Sequence, residues 1–125
     1  MVMSMARGRL QAWLVVTMER VVRALGDRRL RLLSTAFIVG QVCDAVTTQV
    51  ALASGRFAEA NPLFAPALGT HPVVAMVLKL GLAFTVLVAA ITRVAEPRRR
   101  MVLLVLAFIS LEAPTSNALH ILGVL

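Results

Sequence analysis

Eight polar side chains stand out in this chain because they lie within, or next to, long stretches of hydrocarbon residues. Carboxylates can accept protons or bind cations, an ammonium group can neutralise negative charge, and amides and hydroxyls can orient a bound group. Placing one Asp or Lys at the centre of a membrane helix costs about 2.5–3.5 kcal/mol, so each is expected to have a partner or a ligand. The candidate polar-pocket residues are Asp44, Thr48, Glu59, Asn61, Lys79, Glu112, Asn117 and His120.

The composition indicates the class of protein that must position these side chains. Of 125 residues, 59% are hydrophobic and 15% are charged, and the mean hydropathy is +0.86. Soluble domains contain roughly 45–50% apolar residues, and a chain of this length forms one small core. Such a core could not hide this much apolar surface from water, so the sequence predicts an all-α integral membrane protein.

Three apolar segments are long enough to cross a bilayer as helices, since each exceeds the roughly 20 residues that about 30 Å of hydrocarbon requires. The spans extend over about 30–53, 72–94 and 101–123. The chain therefore divides into an N-terminal segment, 1–29, and a three-span membrane domain, 30–125, with an outer loop at 54–71. The turn Ala95–Arg100 is short and contains Pro97, so the second and third spans are expected to be antiparallel neighbours.

The N-terminal segment has the pattern of an amphipathic helix from about Leu10 to Leu25. Apolar residues recur at steps of three and four, Arg20 and Arg23 lie mostly on the opposite side, and Gly26 fits a helix stop. We expect a frayed terminus over residues 1–9, followed by a basic helix that lies in the membrane interface. The alternative is a fourth span, which its charged residues would interrupt.

The basic residues lie on one side of the predicted membrane domain. Eleven of the 13 lie before or at the start of the first span, or at or between the adjoining ends of the second and third, and Arg56 and Lys79 are the exceptions. This asymmetry predicts a cytoplasmic N-terminus and a C-terminus outside. The anionic cytoplasmic leaflet is the expected partner, and nucleic acid is not, because no aromatic residues interleave with the charges. The expected membrane-surface residues are Arg20, Arg23, Arg28, Arg29, Arg98, Arg99 and Arg100.

The rise of an α-helix predicts which polar side chains share a depth. Counted from the outer end of each span at 1.5 Å per residue, Asp44 lies ~13 Å deep, Lys79 ~10 Å and Asn117 ~9 Å. Glu112 lies ~16 Å deep by the same rise. Asp44, Lys79 and Asn117 therefore reach one level on three different helices. For Asp44 and Lys79 the alternative to a binding site is a structural ion pair that fixes helix register.

Three further patterns predict how the helices pack. Gly81, Thr85 and Ala89, at i+4 spacing, give the second span a small face suited to close packing. Pro114 removes one backbone hydrogen bond from the third span and is expected to kink it. The first span carries a stripe at i, i+3, i+7 and i+10, namely Gln41, Asp44, Thr48 and Ala51.

The outer loop has the pattern of a short helix. Asn61 followed by Pro62 fits an N-cap with proline at the first helical position, and Gly69 fits a stop. A helix there would lie on the outer surface and hold Glu59 and Asn61 above the polar level. Glu59 fits a helix cap as well as it fits a site.

Several of these residues also resemble the pattern of a known family. The pattern D-x-x-x-T … G … E-x-N-P … K is formed by Asp44 to Thr48, Gly55, Glu59 to Pro62 and Lys79. In this the sequence is similar, over about Leu33 to Asn117, to the small prokaryotic membrane proteins of domain of unknown function 5658. The resemblance implies a multi-pass protein of a prokaryotic cytoplasmic membrane, and it supplies no established activity. It points to Asp44, Thr48, Glu59, Asn61, Pro62, Lys79 and Asn117.

The function that these residues favour is a binding or accessory subunit. Its outer-leaflet polar pocket, formed by Asp44, Glu59, Lys79 and Asn117, would hold a lipid headgroup, a polar solute or a partner helix. Membrane lipids, a second copy of the chain or another membrane protein are the expected partners. We expect no cofactor and no metal, and we interpret His120 as an interfacial polar residue.

Two other functions stay open. An intramembrane enzyme acting on a lipid or peptide could use Asp44 or Glu59 as general base and Lys79 to stabilise negative charge, although no H-E-x-x-H, G-x-S-x-G or D-x-D motif is present. An ion- or proton-conducting subunit could use Asp44, Lys79 and Glu112 as a relay. Three short helices cannot enclose a pathway alone, so conduction would require an oligomer.

Overall fold

The described part of the chain is almost entirely helical. The computed structural model describes residues 2–55, 66 and 70–124. That part of the chain contains four helices, α1 (Val2–Gly26), α2 (Arg28–Ala53), α3 (Pro72–Arg93) and α4 (Glu96–Ile121), and no strand. The last three are long and apolar enough to cross a membrane, and α1 is not among them. The prediction of an all-α protein with three long apolar helices is confirmed. The predicted short helix of the outer loop falls on Glu59, Asn61 and Pro62, which lie outside the described residues.

The first helix is longer than its sequence pattern predicts. It begins at Val2 rather than near Leu10, so the expectation of a frayed terminus over residues 1–9 is wrong. Gly8 is tolerated inside the helix, because one glycine costs only about 1 kcal/mol there. The helix ends at Gly26 as predicted.

A single residue, Asp27, separates α1 from α2. Its backbone is extended (φ −73°, ψ 119°), and its Oδ1 accepts hydrogen bonds from the backbone N–H groups of Arg29 at 2.8 Å and Leu30 at 3.4 Å. This is N-capping by an aspartate, which satisfies amide groups that have no partner within the helix. The cap fixes where α2 begins.

The connection between α3 and α4 is shorter than the predicted turn. Only Val94 and Ala95 lie between the helices, and α4 begins at Glu96 with Pro97 in its first turn. The predicted turn Ala95–Arg100 is therefore mostly helix, since proline has no N–H and fits the first turn of a helix. The short connection makes α3 and α4 antiparallel neighbours.

The core of the bundle is the contact between α2 and α4, which run parallel. Buried residues recur on α4 at Leu103, Ala107, Ser110 and Pro114, in alternating steps of four and three, the repeat of helices that pack side by side. The closest approach is at Gly40. A Cβ atom there would lie 2.5 Å from Ser110 Oγ and 2.6 Å from the Ser110 carbonyl oxygen. This carbonyl is the one that Pro114, four residues later and without an N–H, leaves free of its helical hydrogen bond.

The third helix packs on the bundle through a face other than the predicted one. Its buried residues are Ala75, Ala83, Leu87, Ala90 and Ile91. The predicted small face is wrong for this bundle, because the three small residues are all exposed and a Cβ at the glycine would meet nothing within 4 Å. These residues are Gly81, Thr85 and Ala89.

The first helix joins the bundle through its last turns. Ala24 is buried and Val21 packs against the same core cluster, and Arg20 Nη1 donates to the carbonyl oxygen of Thr92 on α3 at 3.3 Å. Earlier along the helix the apolar side chains are exposed, for example Trp13 and Met18. The helix therefore presents apolar surface outside the bundle.

Candidate functional site

The carboxylate of Asp44 is the centre of a buried polar cluster. Its Oδ2 lies 2.6 Å from the ammonium nitrogen of Lys79 on α3. Its Oδ1 accepts from Asn117 Nδ2 on α4 at 3.1 Å and from Thr48 Oγ1, one turn further along α2, at 3.4 Å. Asp44 itself is only 7% exposed. One carboxylate thus joins all three apolar helices, as their calculated depths predict.

Helix geometry explains why these side chains meet. Residues four apart on a helix lie one above the other, which places Thr48 beside Asp44. The parallel register of α2 and α4, set by the close approach at Gly40, carries Asn117 to the same level. The Asn117 amide nitrogen also lies 3.3 Å from Thr47 Oγ1 and 3.4 Å from Thr48 Oγ1, so three acceptors share its two N–H groups.

The cluster is electrically balanced. Asp44 and Lys79 carry opposite charges in contact, and the hydroxyl and amide donors complete the coordination of the carboxylate. Such a pair contributes little net stability, but removing one partner leaves an uncompensated buried charge, at a cost of about 3–5 kcal/mol. The arrangement therefore fixes the positions of α2, α3 and α4 relative to one another.

Beside this cluster a groove opens between α3 and α4. It has a volume of about 270 Å³. Its floor comes from α2 through Phe37 and Gln41, and Lys79 lies in the α3 wall. Exposed apolar side chains form its rim, so it opens sideways, towards the space that lipid fills around a membrane bundle. The remaining lining residues are Leu82, Ala83, Val86, Leu106, Ile109 and Ser110.

Two polar side chains in this groove have hydrogen-bonding capacity left. An ammonium group has three donors, and an amide has two donors and an acceptor. Among the described residues, Lys79 pairs with Asp44 alone, and the half-buried Gln41 has no hydrogen-bond partner. Unpaired polar groups are costly in hydrocarbon. A bound group with a hydrogen-bond acceptor would satisfy both.

The other predicted pocket residues are not part of this cluster. Glu112 is exposed on α4 and makes no hydrogen bond or ion pair with Asp44 or Lys79. His120 is exposed in the last turn of α4. Glu59 and Asn61 lie outside the described residues. Within the described ranges, no three His, Cys, Asp or Glu side chains come close enough to hold a metal ion.

The predicted surface arginines gather at the opposite end of the bundle from Asp44. Arg100 Nη2 donates to Asp27 Oδ2 at 2.9 Å, which links the start of α4 to the α1–α2 connection. Arg99 donates to the Val94 carbonyl oxygen from Nε at 3.2 Å and from Nη2 at 3.1 Å. The exposed members of the set are Arg20, Arg23, Arg28, Arg29, Arg98 and Arg100.

Asp27 differs in its ionisation from an ordinary surface aspartate. The backbone N–H of Arg29 and then the guanidinium of Arg100 hold the pKa of this carboxyl below its usual 3.8, because both donate to the charged form. It is therefore ionised throughout the physiological range, and the cap and the ion pair with Arg100 persist.

Sequence reasoning missed three residues that this geometry depends on. No sequence pattern distinguishes Gly40 or Ser110 from the many other small residues in the apolar segments. Asp27 could have been found, because an aspartate directly before an apolar helical segment is the usual sign of an N-cap.

The comparison with known proteins gives one result. The sequence profile of the family described as Domain of unknown function (DUF5658) matches residues 35–124, which include Asp44, Lys79 and Asn117. No curated protein and no solved structure matches the chain. Since the match covers well over half of the 125 residues, the chain belongs to this family of unknown function.

Proposed function

We propose that this protein is a binding or accessory subunit of a prokaryotic cytoplasmic membrane. It holds a group that carries a hydrogen-bond acceptor in the groove between α3 and α4, against Lys79 and Gln41. The observation that carries the proposal is that the groove contains two polar side chains whose hydrogen-bond donors are not all used. Lys79 is fixed on one side by Asp44, and it lines a groove in which Gln41 is unpaired.

The orientation in this proposal follows from charge. The N-terminus and both arginine-rich connections lie on the cytoplasmic side, and the C-terminus lies outside. Helix α1 lies in the cytoplasmic interface as a basic amphipathic helix, where its arginines meet anionic lipid. The Asp44 cluster then lies in the outer half of the membrane.

Three ligand classes fit an acceptor-binding groove: a lipid headgroup, a polar solute and a partner helix. The groove is largely apolar, and its rim at Leu82 and Ile109 is 56% and 57% exposed. A lateral, mostly apolar opening favours a partner helix that presents one polar side chain, because transmembrane helices associate through packing and a few hydrogen bonds. A second copy of the chain is one such partner.

The contacts of the described residues do not favour the two alternative functions, an intramembrane enzyme and an ion- or proton-conducting subunit. The Asp44 carboxylate already accepts from three donors, which does not favour a general base. The relay of Asp44, Lys79 and Glu112 is not joined by contacts among the described residues, since Glu112 is exposed away from the pair. The binding role therefore remains the proposal.

Photocrosslinking in native membranes tests it. A benzophenone side chain at Val86 lies on the groove rim, and one at Phe84 on the same helix is exposed but outside the groove. We expect Val86 to crosslink one defined partner, Phe84 to give only scattered lipid adducts, and Gln41→Leu to abolish the Val86 product. Gln41→Leu is preferred to Lys79→Met because it leaves the ion pair intact. Equal products from both positions, or a Val86 product that survives Gln41→Leu, would exclude the groove.

A further inference from the structure

The arginine-rich end of the bundle encloses a second, larger cavity. It has a volume of about 750 Å³ and lies between the last turns of α1, the first turn of α2 and the α3–α4 connection. This volume is within the range of small-molecule sites, roughly 300–1,000 Å³. Five arginines line it, Arg20, Arg23, Arg93, Arg99 and Arg100.

The positive charge in this cavity is only partly balanced. Two carboxylates also line it, but Asp27 is engaged with Arg100, and Glu96 is 87% exposed at 4.0 Å from Arg99. Arg23 and Arg93 make no hydrogen bond or ion pair with any described residue. Five arginines against two carboxylates leave a formal charge of +3 around the cavity.

The arginines differ in how firmly they are held. Arg20 is fixed to the Thr92 carbonyl oxygen, and Arg99 to that of Val94, so their positions in the cavity wall are set before any ligand arrives. Arg23 and Arg93 retain all their donors. A guanidinium presents paired N–H groups that match the oxygens of a phosphate. The cavity thus combines fixed and free guanidinium groups around one space.

We propose that this cavity binds the phosphate-bearing headgroup of an anionic glycerophospholipid, as a saturable site with one lipid per chain. The site goes beyond the groove at Gln41 and does not depend on it, because it lies at the other end of the helices. It also differs from general attraction to a charged leaflet, which any exposed arginine provides.

The lipid source of the phosphate follows from the surface beside the cavity. Arg23 and Glu19 also line a shallow groove of about 410 Å³ on α1, together with the apolar Val15, Met18 and Val22. These three apolar side chains are 57%, 69% and 65% exposed. A ligand with its phosphate at Arg23 can therefore lay an acyl chain along α1. A soluble phosphate compound would make no use of that apolar surface.

The test compares two pairs of substitutions that remove the same charge. Arg23→Gln with Arg93→Gln alters the cavity, and Arg28→Gln with Arg98→Gln removes two exposed arginines of the same region that do not line it. Each protein is reconstituted in phosphatidylcholine nanodiscs that contain a minority of phosphatidylglycerol. Native mass spectrometry after release counts the retained lipid, and circular dichroism checks that helix content is equal.

We expect wild type and the control pair to retain one phosphatidylglycerol, and the cavity pair to bind it about tenfold more weakly for each arginine removed. Gln41→Leu should leave this lipid in place, which separates this site from the proposed function. Equal loss in both pairs would show diffuse attraction and overturn the proposal. Complete displacement by inorganic phosphate at a concentration equal to that of the lipid would assign the cavity to a free phosphate compound and overturn the lipid assignment.

Discussion

Adding one methyl group at Gly40 should destabilise the bundle, although the same change normally strengthens a helix. The new Cβ would lie 2.6 Å from the Ser110 carbonyl oxygen and 2.8 Å from its carbonyl carbon. Both are backbone atoms, so no side-chain rotation can relieve the contact. To reach the 3.4 Å of ordinary contact, α2 and α4 must move apart by about 0.8 Å.

Two effects of opposite sign decide the magnitude. Replacing glycine by alanine inside a helix gains about 0.5–1 kcal/mol from backbone propensity. Forcing an extra methyl group into a packed interface costs about 1–3 kcal/mol, and the upper half of that range applies when backbone must move. We therefore expect Gly40→Ala to lower the free energy of unfolding by about 1–2 kcal/mol. The separation would also lengthen the 3.1 Å hydrogen bond between Asn117 and Asp44.

Gly81→Ala is the matched control, because Gly81 is also inside an apolar helix but a Cβ there meets nothing within 4 Å. It should be neutral or more stable by up to about 1 kcal/mol. Unfolding by sodium dodecyl sulfate in mixed micelles, followed by circular dichroism, gives the difference between the two variants. If Gly40→Ala is as stable as Gly81→Ala, the close approach of α2 and α4 is not what sets their register.

Three further predictions follow from the contacts of single residues. Lys79→Met should lower the free energy of unfolding by about 3–5 kcal/mol, because it leaves the Asp44 carboxylate buried without its counter-ion. Adding Asp44→Leu should recover much of that loss; if the two substitutions instead lower the free energy of unfolding additively, the pairing is contradicted. The Asp27 cap is present above the ordinary aspartate pKa of 3.8 and is lost as pH falls through the lower folded value. The protection factors of amides around the α1–α2 junction, which correct for the intrinsic pH dependence of exchange, should therefore fall only in that acid range and should fall less in Arg100→Gln; a fall near neutral pH would contradict this. Cys43 is exposed on α2 one residue before the buried Asp44, and maleimides react with the thiolate, which forms in water. In membranes Cys43 should therefore resist a maleimide and react once sodium dodecyl sulfate has unfolded the protein; rapid labelling in intact membranes would contradict a membrane location for α2.

The sequence predicts the helices and the level of the polar cluster because both follow from distances along one helix. The length of each apolar segment fixes the span, and a rise of 1.5 Å per residue brings Asp44, Lys79 and Asn117 to a common depth. In the structure Lys79 and Asn117 both contact Asp44. No partner helix has to be known for either inference.

The rotation of each helix could not be predicted, because it depends on what the neighbouring helix presents. Gly40 and Gly81 look equivalent in the sequence, yet one is buried against Ser110 and the other is exposed. Glu112, Ser116 and His120 recur at steps of four along α4, but Glu112 is exposed and does not contact Asp44. The start of α1 was missed for a different reason, since apolar periodicity marks where a helix can pack and not how far it continues.

The most direct test of the binding role is native mass spectrometry of the protein released from nanodiscs made with its native lipids. Wild type is compared with Gln41→Leu, which keeps the ion pair of Asp44 with Lys79, and with Thr85→Val, which alters a polar residue on α3 outside the groove. We predict that wild type and Thr85→Val each carry one bound molecule or polypeptide that Gln41→Leu lacks. The same bound mass in all three, or no bound mass in any, would make the polar cluster a packing device and contradict the proposed function.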